Sequence, residues 1–284
     1  LQTIDYRYNF RGWMTHINQA DVRGTDDYFG MELHYDQGFE NKQYTGNIAG
    51  ITWSTALDKQ LKAYGYGYDR TNRFQSANYR AGDGWSEQSS LYNVEQVSYD
   101  ANGNINELKR YGQHTTTQSR IIQEDQHYAY KGNQLIAVQD AGWQDIGFTE
   151  SLQDSIEYHY DANGNMTVDA NKGISEIHYN HLNLPDSVIL NNGDVIRYGY
   201  DAAGIKLSRL HYRNNELQSS TQYAGAFLYE NDSLQFISTG EGRYLPQSQQ
   251  YEYYIKDHLG NTRLVIHRSE VATHTLTLEG SNAQ

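Results

Sequence analysis

Apolar and polar residues follow the two-residue period of a β-strand along most of the chain. Tyrosines recur in pairs separated by one residue, and the runs 187–190 and 262–266 are rich in aliphatic residues. Because successive side chains of a strand point to opposite faces, this pattern places whole sets of residues on one face of a sheet. The best helical candidate, 54–63, is too short and too irregularly spaced for an amphipathic helix. The pattern therefore predicts an all-β fold.

A motif of the form Tyr-x-Tyr-Asp/Asn-x-x-Gly-x-apolar repeats within this pattern. The clearest copies span 158–166 and 198–205, and a third lies at 98–105. The repeat unit is about 20 or 30 residues long, a period that indicates one supersecondary unit per repeat. The second tyrosine of each copy, strict or degenerate, is found at Tyr8, Tyr68, Tyr99, Tyr130, Tyr160, Tyr179 and Tyr200, and His34-Tyr35-Asp36 partly fills the longest gap.

Each copy has the residues of a β-hairpin. Tyr-x-Tyr places both rings on one face of a strand, and the following Asp is suited to accept hydrogen bonds from the turn backbone. The Gly then takes the left-handed conformation that ends a type I turn with a G1 bulge, and Asn72 replaces Gly in one copy. The apolar residue after the turn starts the return strand. We therefore expect stacked antiparallel β-hairpins in a spiralling sheet, without a conventional closed core.

Composition narrows the classes of function. The 22 basic and 35 acidic residues give a net charge of −13, which argues against binding of nucleic acid or of an anionic membrane. No apolar run is long enough to span a bilayer. The chain has no cysteine, so disulfides, zinc–thiolate sites and cysteine nucleophiles are excluded. Its 26 tyrosines exceed its 7 phenylalanines, which predicts buried hydroxyls that need hydrogen-bond partners.

The repeated motif resembles the signature of the YD-repeat proteins, the bacterial rearrangement-hotspot (Rhs) and toxin-shell group. The run 254–265, Tyr-Ile-Lys-Asp-His-Leu-Gly-Asn-Thr-Arg-Leu-Val, is similar to the opening of the Rhs-associated core of that family, and 44–53 also resembles family sequences. The resemblance covers about residues 1–266. It implies a hollow β-shell, or cocoon, that encloses the protein's own C-terminal effector, often a toxin, in a tyrosine-lined cavity.

The resemblance divides the chain into three segments. We expect a YD-repeat shell segment at 1–253, the start of the Rhs-associated core at 254–266, and a tail of unclear role at 267–284. The patterns that follow the core's opening in the family are absent, so the family's self-cleavage residues are not carried over. The first residue is Leu1, and strand-like sequence begins at once. We therefore expect this chain to be a piece of a longer polypeptide.

Several residues invite a chemical interpretation, and each has a plainer structural one. The runs 100–104 and 161–165 imitate half of a calcium loop but lack its Gly and Glu, which favours hairpin turns. His178 and His181 point to opposite faces of a strand, which argues against a metal site. Asp257 and His258 could belong to a catalytic triad, although Asp257 with Gly260 also fits the repeated turn. The pairs Gly65/Gly67 and Gly240/Gly242 lack the frame of a phosphate loop.

These observations predict a structural protein without catalytic residues, metal or cofactor. Its expected role is a segment of a large secreted or surface-exposed bacterial shell that encloses and delivers a C-terminal effector. Its partners would be the rest of its own polypeptide, an enclosed effector or other chains of a secretion assembly. The alternative is a cell-surface adhesin whose tyrosine-rich face binds glycan or protein, because exposed aromatic strips can hold a ligand.

Overall fold

The computed structural model describes residues 2–82, 90–143, 147–148, 156–267 and, for the backbone alone, 275–277. These residues form 23 β-strands and no helix, so the described part of the chain contains no helix able to cross a membrane. Most of the predicted tail 267–284 lies outside the described residues. The strands are β1 Tyr6–Tyr8, β2 Met14–Ile17, β3 Phe29–His34, β4 Gly50–Thr55, β5 Lys62–Tyr68, β6 Phe74–Ala81, β7 Val94–Tyr99, β8 Ile105–Gln113, β9 Arg120–Lys131, β10 Gln134–Asp140, β11 Tyr158–Tyr160, β12 Met166–Asp169, β13 Ile174–Tyr179, β14 Pro185–Leu190, β15 Val195–Tyr200, β16 Lys206–Arg213, β17 Glu216–Ala224, β18 Phe227–Glu230, β19 Ser233–Thr239, β20 Gly242–Leu245, β21 Gln250–Lys256, β22 Thr262–His267 and β23 Thr275–Thr277.

Within each of two sheets, every strand pairs antiparallel with the next strand in the chain. Strands β1 to β10 form one sheet and β11 to β23 form the second, each in strict sequence order. The all-β repeat fold is therefore confirmed. Strand β21 runs without interruption across the predicted boundary at 253/254, and the division into segments stays a prediction.

A buried glutamate joins the two sheets. The backbone N–H of Glu157 donates to the carbonyl of Ile136 at 2.7 Å, and its Oε2 accepts the N–H of Val138 at 2.9 Å. Glu157 is only 1% exposed. Because a buried backbone donor needs a partner, this carboxylate replaces a strand partner for β10 at the point where the ladder is interrupted.

The turns after the tyrosines have the predicted geometry. In the copy at Asp161, the N–H of Gly164 donates to the Asp161 carbonyl at 3.1 Å, and Asp161 N–H donates to the Asn165 carbonyl at 2.9 Å. Gly164 has a φ of +86°, and the equivalent Asn72 and Asn183 have φ values of +64° and +56°. The left-handed position thus falls where the motif has Gly, and Asn substitutes for Gly there.

The sheets also carry two apolar clusters of buried residues, and the larger one joins strands that are distant in the sequence. Ile255, Leu264 and Ile266 of the last strands pack against a buried set on the first strands. We call this cluster the closing contact; its buried members are Ile17, Phe29, Met31, Leu33, Tyr35, Ile51, Ile255, Leu264 and Ile266. The two halves are separated by about 200 residues of sequence, so local alternation carries no sign of their meeting. The rolled sheet therefore stacks its last strands on its first.

Substitution of Gly164 tests the turn geometry. Gly164→Ala should destabilise the chain by about 1 kcal/mol, because a Cβ is disfavoured at positive φ while nothing lies within 4 Å to clash with it. Gly164→Asn should cost less, as Asn72 and Asn183 show. The control is Gly240→Ala, which has open space and no positive φ. Urea denaturation measures all three, and equal losses at 164 and 240 would contradict the assignment.

Candidate functional site: the tyrosine face and the closing contact

In seven copies of the repeat, including the partial copy at Tyr35, the second tyrosine ties one hairpin to the next. Its hydroxyl donates to a backbone carbonyl at or beside the start of the preceding strand, at distances between 2.6 and 2.9 Å. We call the sheet face that carries these rings the tyrosine face. The seven bonds are Tyr35 to Met14, Tyr68 to Ile48, Tyr99 to Phe74, Tyr130 to Ile105, Tyr160 to Leu135, Tyr179 to Met166, and Tyr200 to Pro185.

Burial further favours the neutral form of these hydroxyls. It raises the pKa of Tyr68, Tyr130 and Tyr160 above the ordinary tyrosine value, and it raises the pKa of Tyr64 and Tyr128 to about 12. A neutral phenol keeps its proton and can donate to a carbonyl. The predicted need of buried tyrosines for partners is therefore met by the backbone of the neighbouring repeat, which makes the tyrosine face a structural ladder.

In most repeats that have it, the Asp after the second tyrosine holds the turn. In the turn at 100–104, one carboxylate oxygen of Asp100 accepts the N–H groups of Asn102 and Asn104 at 2.8 and 2.9 Å, and the other accepts the Asn104 side-chain amide at 2.8 Å. These hydrogen bonds lower the pKa of Asp100, with the Asn104 side chain first among them. Both oxygens are used by the turn, in agreement with the hairpin interpretation of the calcium-like sequence.

The closing contact extends the tyrosine face of the first strands. Trp53, Tyr64 and Tyr66 pack against its edge, and the rings of Trp53 and Tyr64 stack at 5.7 Å. Burial raises the pKa of Tyr66 strongly, and the charges of Arg263 and Asp257 also act on it. The turn between β21 and β22 therefore lies beside the C-terminal end of β5. Tyr66 is near that end, three residues before Asp69, which starts the turn after β5.

Asp257 lies at this turn and uses its carboxylate as the other repeats do. It accepts the N–H groups of Leu259 and Asn261 at 2.9 Å, and its Oδ2 lies 2.6 Å from a guanidinium nitrogen of Arg263. The Asp257 side chain is fully buried. Burial by itself would raise the pKa of Asp257. The hydrogen bonds from Asn261 and the charge of Arg263 outweigh this effect, and the pKa is lowered.

His258 does not join Asp257 in a triad. Burial lowers the pKa of His258, and its Nδ1 is buried without a hydrogen-bond partner among the described residues. The carboxylate that would orient the imidazole in a triad is instead occupied by the turn and by Arg263. The structure therefore gives Asp257 the turn role that its spacing to Gly260 predicts.

The remaining sequence candidates are not brought together. His178 pairs with Glu176 on the exposed side of β13 at 3.2 Å, and His181 is exposed in the following turn. Gly67 has a packing role and does not bind phosphate in a loop. A Cβ at this position would lie 2.4 Å from the Oγ of Ser76 on the paired strand, so a larger residue would clash with Ser76. Among the described residues, no group of three metal-ligating side chains could hold an ion.

Sequence reasoning missed an open aromatic pocket on the tyrosine face. Trp53, Tyr64, Tyr79 and Tyr92 line a space of about 370 Å³ together with Asp58 and Lys62, among others. The Tyr64 hydroxyl donates to the carbonyl of Tyr92, and the rings of Tyr79 and Tyr92 meet edge to face at 5.1 Å. Tyr79 and Tyr92 lie outside the motif copies, so their meeting depends on sheet register and not on local pattern.

The fold of the chain is similar to a part of solved toxin complexes. A crystal structure of TcdB2-TccC3-TEV matches with a TM-score of 0.58 and 13% identity, covering 93% of this chain and 15% of that one. A TcdB2-TccC3-Cdc42 structure gives the same TM-score and coverages at 16% identity. So does a Photorhabdus luminescens Tc holotoxin pore with a mutated TccC3, at 15% identity. The chain thus spans about 15% of the length of these chains.

These matches establish the fold and leave function to be argued from the site. No protein-family model and no curated protein sequence matches the chain. The rolled, all-antiparallel sheet expected from the resemblance is therefore confirmed by structural likeness, at an identity too low to transfer any property beyond the fold.

Removal of one ladder hydroxyl tests the tyrosine bonds. Tyr160→Phe deletes the bond to the Leu135 carbonyl and should lower the free energy of unfolding by about 1 kcal/mol. The matched control is Tyr44→Phe, at a tyrosine that is 60% exposed and outside the ladder. Chemical denaturation of both variants measures the difference. Equal stabilities of the two variants would show that the hydroxyl bond contributes nothing.

The charge of Asp257 should make the closing turn sensitive to acid. Since its pKa is lowered on folding, its contribution is present above the ordinary value of 3.8 and is lost as pH falls through the folded value. Asp257→Asn should cost about 2 kcal/mol at pH 7, and the gap from wild type should narrow as pH falls below 3.8.

Asp36→Asn is the control for this experiment. Asp36 follows Tyr35 in the same relative position, but its side chain is exposed and makes no hydrogen bond among the described residues. Thermal denaturation at a series of pH values follows both variants. A gap for Asp257→Asn that stays constant with pH would show that the Asp257 carboxylate is not what the turn depends on.

Proposed function

We propose that this chain is a wall segment of a shell that encloses a polypeptide effector within a large secreted or surface-exposed bacterial protein. The observation that carries the proposal is the rolled sheet itself, whose last strands close onto its first through an apolar contact. Along the rest of its length the sheet does not depend on a large apolar core, because tyrosine hydrogen bonds join each hairpin to the next. Such a wall can surround a space instead of filling it.

Two further observations support a structural role. The titratable groups singled out in the sequence, Asp100, Asp161 and Asp257, use their carboxylates to hold turns. The fold neighbours are toxin complexes, one of them described as a holotoxin pore. The proposal assigns this chain no catalytic step, no metal and no cofactor, and its partners are an enclosed effector and the rest of its own polypeptide.

Protease protection of a co-purifying guest tests the proposal. The full-length polypeptide that carries these residues is purified without denaturant, treated with protease and analysed by intact-mass spectrometry. We expect a second polypeptide, held without a covalent link, that survives digestion. Leu264→Ala should expose it, because Leu264 is fully buried in the closing contact and truncation of such a residue costs about 2–5 kcal/mol.

Leu259→Ala is the matched control in the same segment, since Leu259 is 75% exposed. The polypeptide enclosed by the Leu259→Ala variant should stay protected from the protease. A preparation that contains no guest, or a wild-type guest digested as fast as free polypeptide, would overturn the enclosing role.

The aromatic pocket favours one alternative, a surface adhesin that binds glycan. Its rings offer flat apolar faces beside the polar groups of Asp58 and Lys62, a combination that suits small-molecule recognition. A glycan array separates the two functions. A saturable signal that is lost in Tyr92→Ala would favour the adhesin, whereas a shell segment should give none.

A further inference from the structure

Three asparagines of the chain are followed by glycine, and all three lie in the same kind of hairpin turn. They are Asn102, Asn163 and Asn192. In each turn the N–H of the glycine donates to the carbonyl three residues earlier, at 3.2, 3.1 and 2.9 Å respectively. The three glycines have φ values of +92°, +86° and +85°. The backbones of the turns are therefore alike, and the turns differ chiefly in what the asparagine side chains contact.

Two of these side chains are held by the next turn along the sheet. The amide nitrogen of Asn102 donates to the side-chain oxygen of Asn133 at 3.0 Å, and that of Asn163 donates to the side-chain oxygen of Asn183 at 3.3 Å. Each acceptor also takes a second side-chain amide from the same turn at 3.1 Å. We call Asn133 and Asn183 the turn clasps. Both held side chains are thus directed toward the neighbouring hairpin.

The side chain of Asn192 has a different contact. Its Oδ1 accepts the backbone N–H of Asp194 at 2.9 Å, and its amide nitrogen has no hydrogen-bond partner among the described residues. The ring closed by this bond contains both the Cγ of Asn192 and the backbone nitrogen of Gly193, as in an Asx turn. The side chain is therefore folded back over the peptide bond to Gly193, and Asn192 is exposed to water.

An asparagine before a glycine can lose ammonia without an enzyme. The deprotonated glycine nitrogen attacks Cγ, the new N–C bond closes a succinimide ring, and the side-chain nitrogen leaves as ammonia with the proton that the glycine nitrogen gave up. Water then opens the ring to aspartate or to isoaspartate, whose backbone is longer by a methylene group. The rate depends on how closely the nitrogen and Cγ are held and on how well the negative charge that develops on Oδ1 is stabilised.

Both conditions favour reaction at Asn192. The N–H of Asp194 lies at the oxygen on which negative charge develops, and the Asx ring keeps Cγ beside the attacking nitrogen. At Asn102, by contrast, no described group donates to Oδ1. The bond from Asn102 to Asn133 must also break before the side chain can turn back toward Gly103.

We propose that Asn192 is a site of spontaneous deamidation. The turn clasps Asn133 and Asn183 protect the other two Asn-Gly pairs from the same reaction, because they hold the side chains away from the attacking position. The inference goes beyond the enclosing function and does not depend on it, since it rests on hydrogen bonds within and between turns.

Deamidation at this turn would act on a buried carboxylate. Asp194, at the start of β15, is 5% exposed. It accepts two hydrogen bonds from Arg213 on β16 at 3.0 and 2.8 Å and lies 3.0 Å from Nε2 of His211. Isoaspartate at position 192 would lengthen the backbone two residues before Asp194. We therefore expect the modified protein to unfold at a lower denaturant concentration than the unmodified protein.

Peptide mapping of the full-length polypeptide by mass spectrometry tests the proposal. The native protein is kept at neutral pH in water enriched in the heavy oxygen isotope, which marks the product formed during the experiment. We expect Asn192 to react at least about fivefold faster than Asn102 or Asn163, the ratio that corresponds to one hydrogen bond of ordinary net strength. In denaturant the three pairs should react at similar rates. Equal rates in the native protein would overturn the proposal.

Removal of one turn clasp at a time is the second measurement. Asn133→Ala should speed the reaction at Asn102 and leave that at Asn163 unchanged. Asn183→Gly should do the reverse, and it places the motif's own residue at a position with a φ of +56°, so the turn should keep its geometry. Unchanged rates at the site next to each removed clasp would refute the protection. Neither result bears on an enclosed polypeptide, which protease protection tests separately.

Discussion

Seven tyrosine hydroxyls each donate a hydrogen bond to a backbone carbonyl of the neighbouring hairpin, and the architecture of the sheet depends on this contact. A hairpin of two strands is at most marginally stable by itself in water. The bond from Tyr130 to the carbonyl of Ile105, and its equivalents in the other repeats, adds a side-chain link to the backbone ladder at every repeat. Since the acceptor is backbone, the contact does not depend on which residue supplies it: Phe74, Met166 and Pro185 all serve.

The closing contact differs from this ladder in both range and chemistry. Ladder bonds join residues 13 to 25 positions apart, whereas the closing contact joins the first and the last strands through apolar side chains, aliphatic and aromatic. A repeat array with nearest-neighbour contacts alone can form hairpin by hairpin in any order. We expect the closing contact to form after the intervening strands, because loop closure over so long a segment is slow. The roll is thus a late and global step that follows many local ones.

The sequence predicts features that depend on neighbouring residues, but it does not predict contacts between strands that are far apart in the chain. The Asp–Gly turns follow from residue types with strong backbone preferences, and the tyrosine positions follow from a two-residue period. The contact of Leu264 with the strands of Phe29 and Met31 follows from neither, because it depends on how far the sheet rolls over many repeats. The role of Glu157 could not be predicted for a related reason. Its carboxylate accepts a backbone N–H where the pairing of strands is interrupted between β10 and β11, and no sequence pattern marks that interruption.

The separation of the two kinds of contact suits the enclosing wall that we propose for this chain. The ladder consists of hydrogen bonds that are satisfied repeat by repeat, so the loss of one leaves the others intact. The closing contact concentrates apolar burial at one seam and places at its turn the buried Asp257 carboxylate, paired with the partly exposed Arg263. Removal of Arg263 would leave the buried Asp257 carboxylate without its counter-charge, which is destabilising. A local change at this seam can therefore open the roll while the ladder, and with it the wall, stays folded.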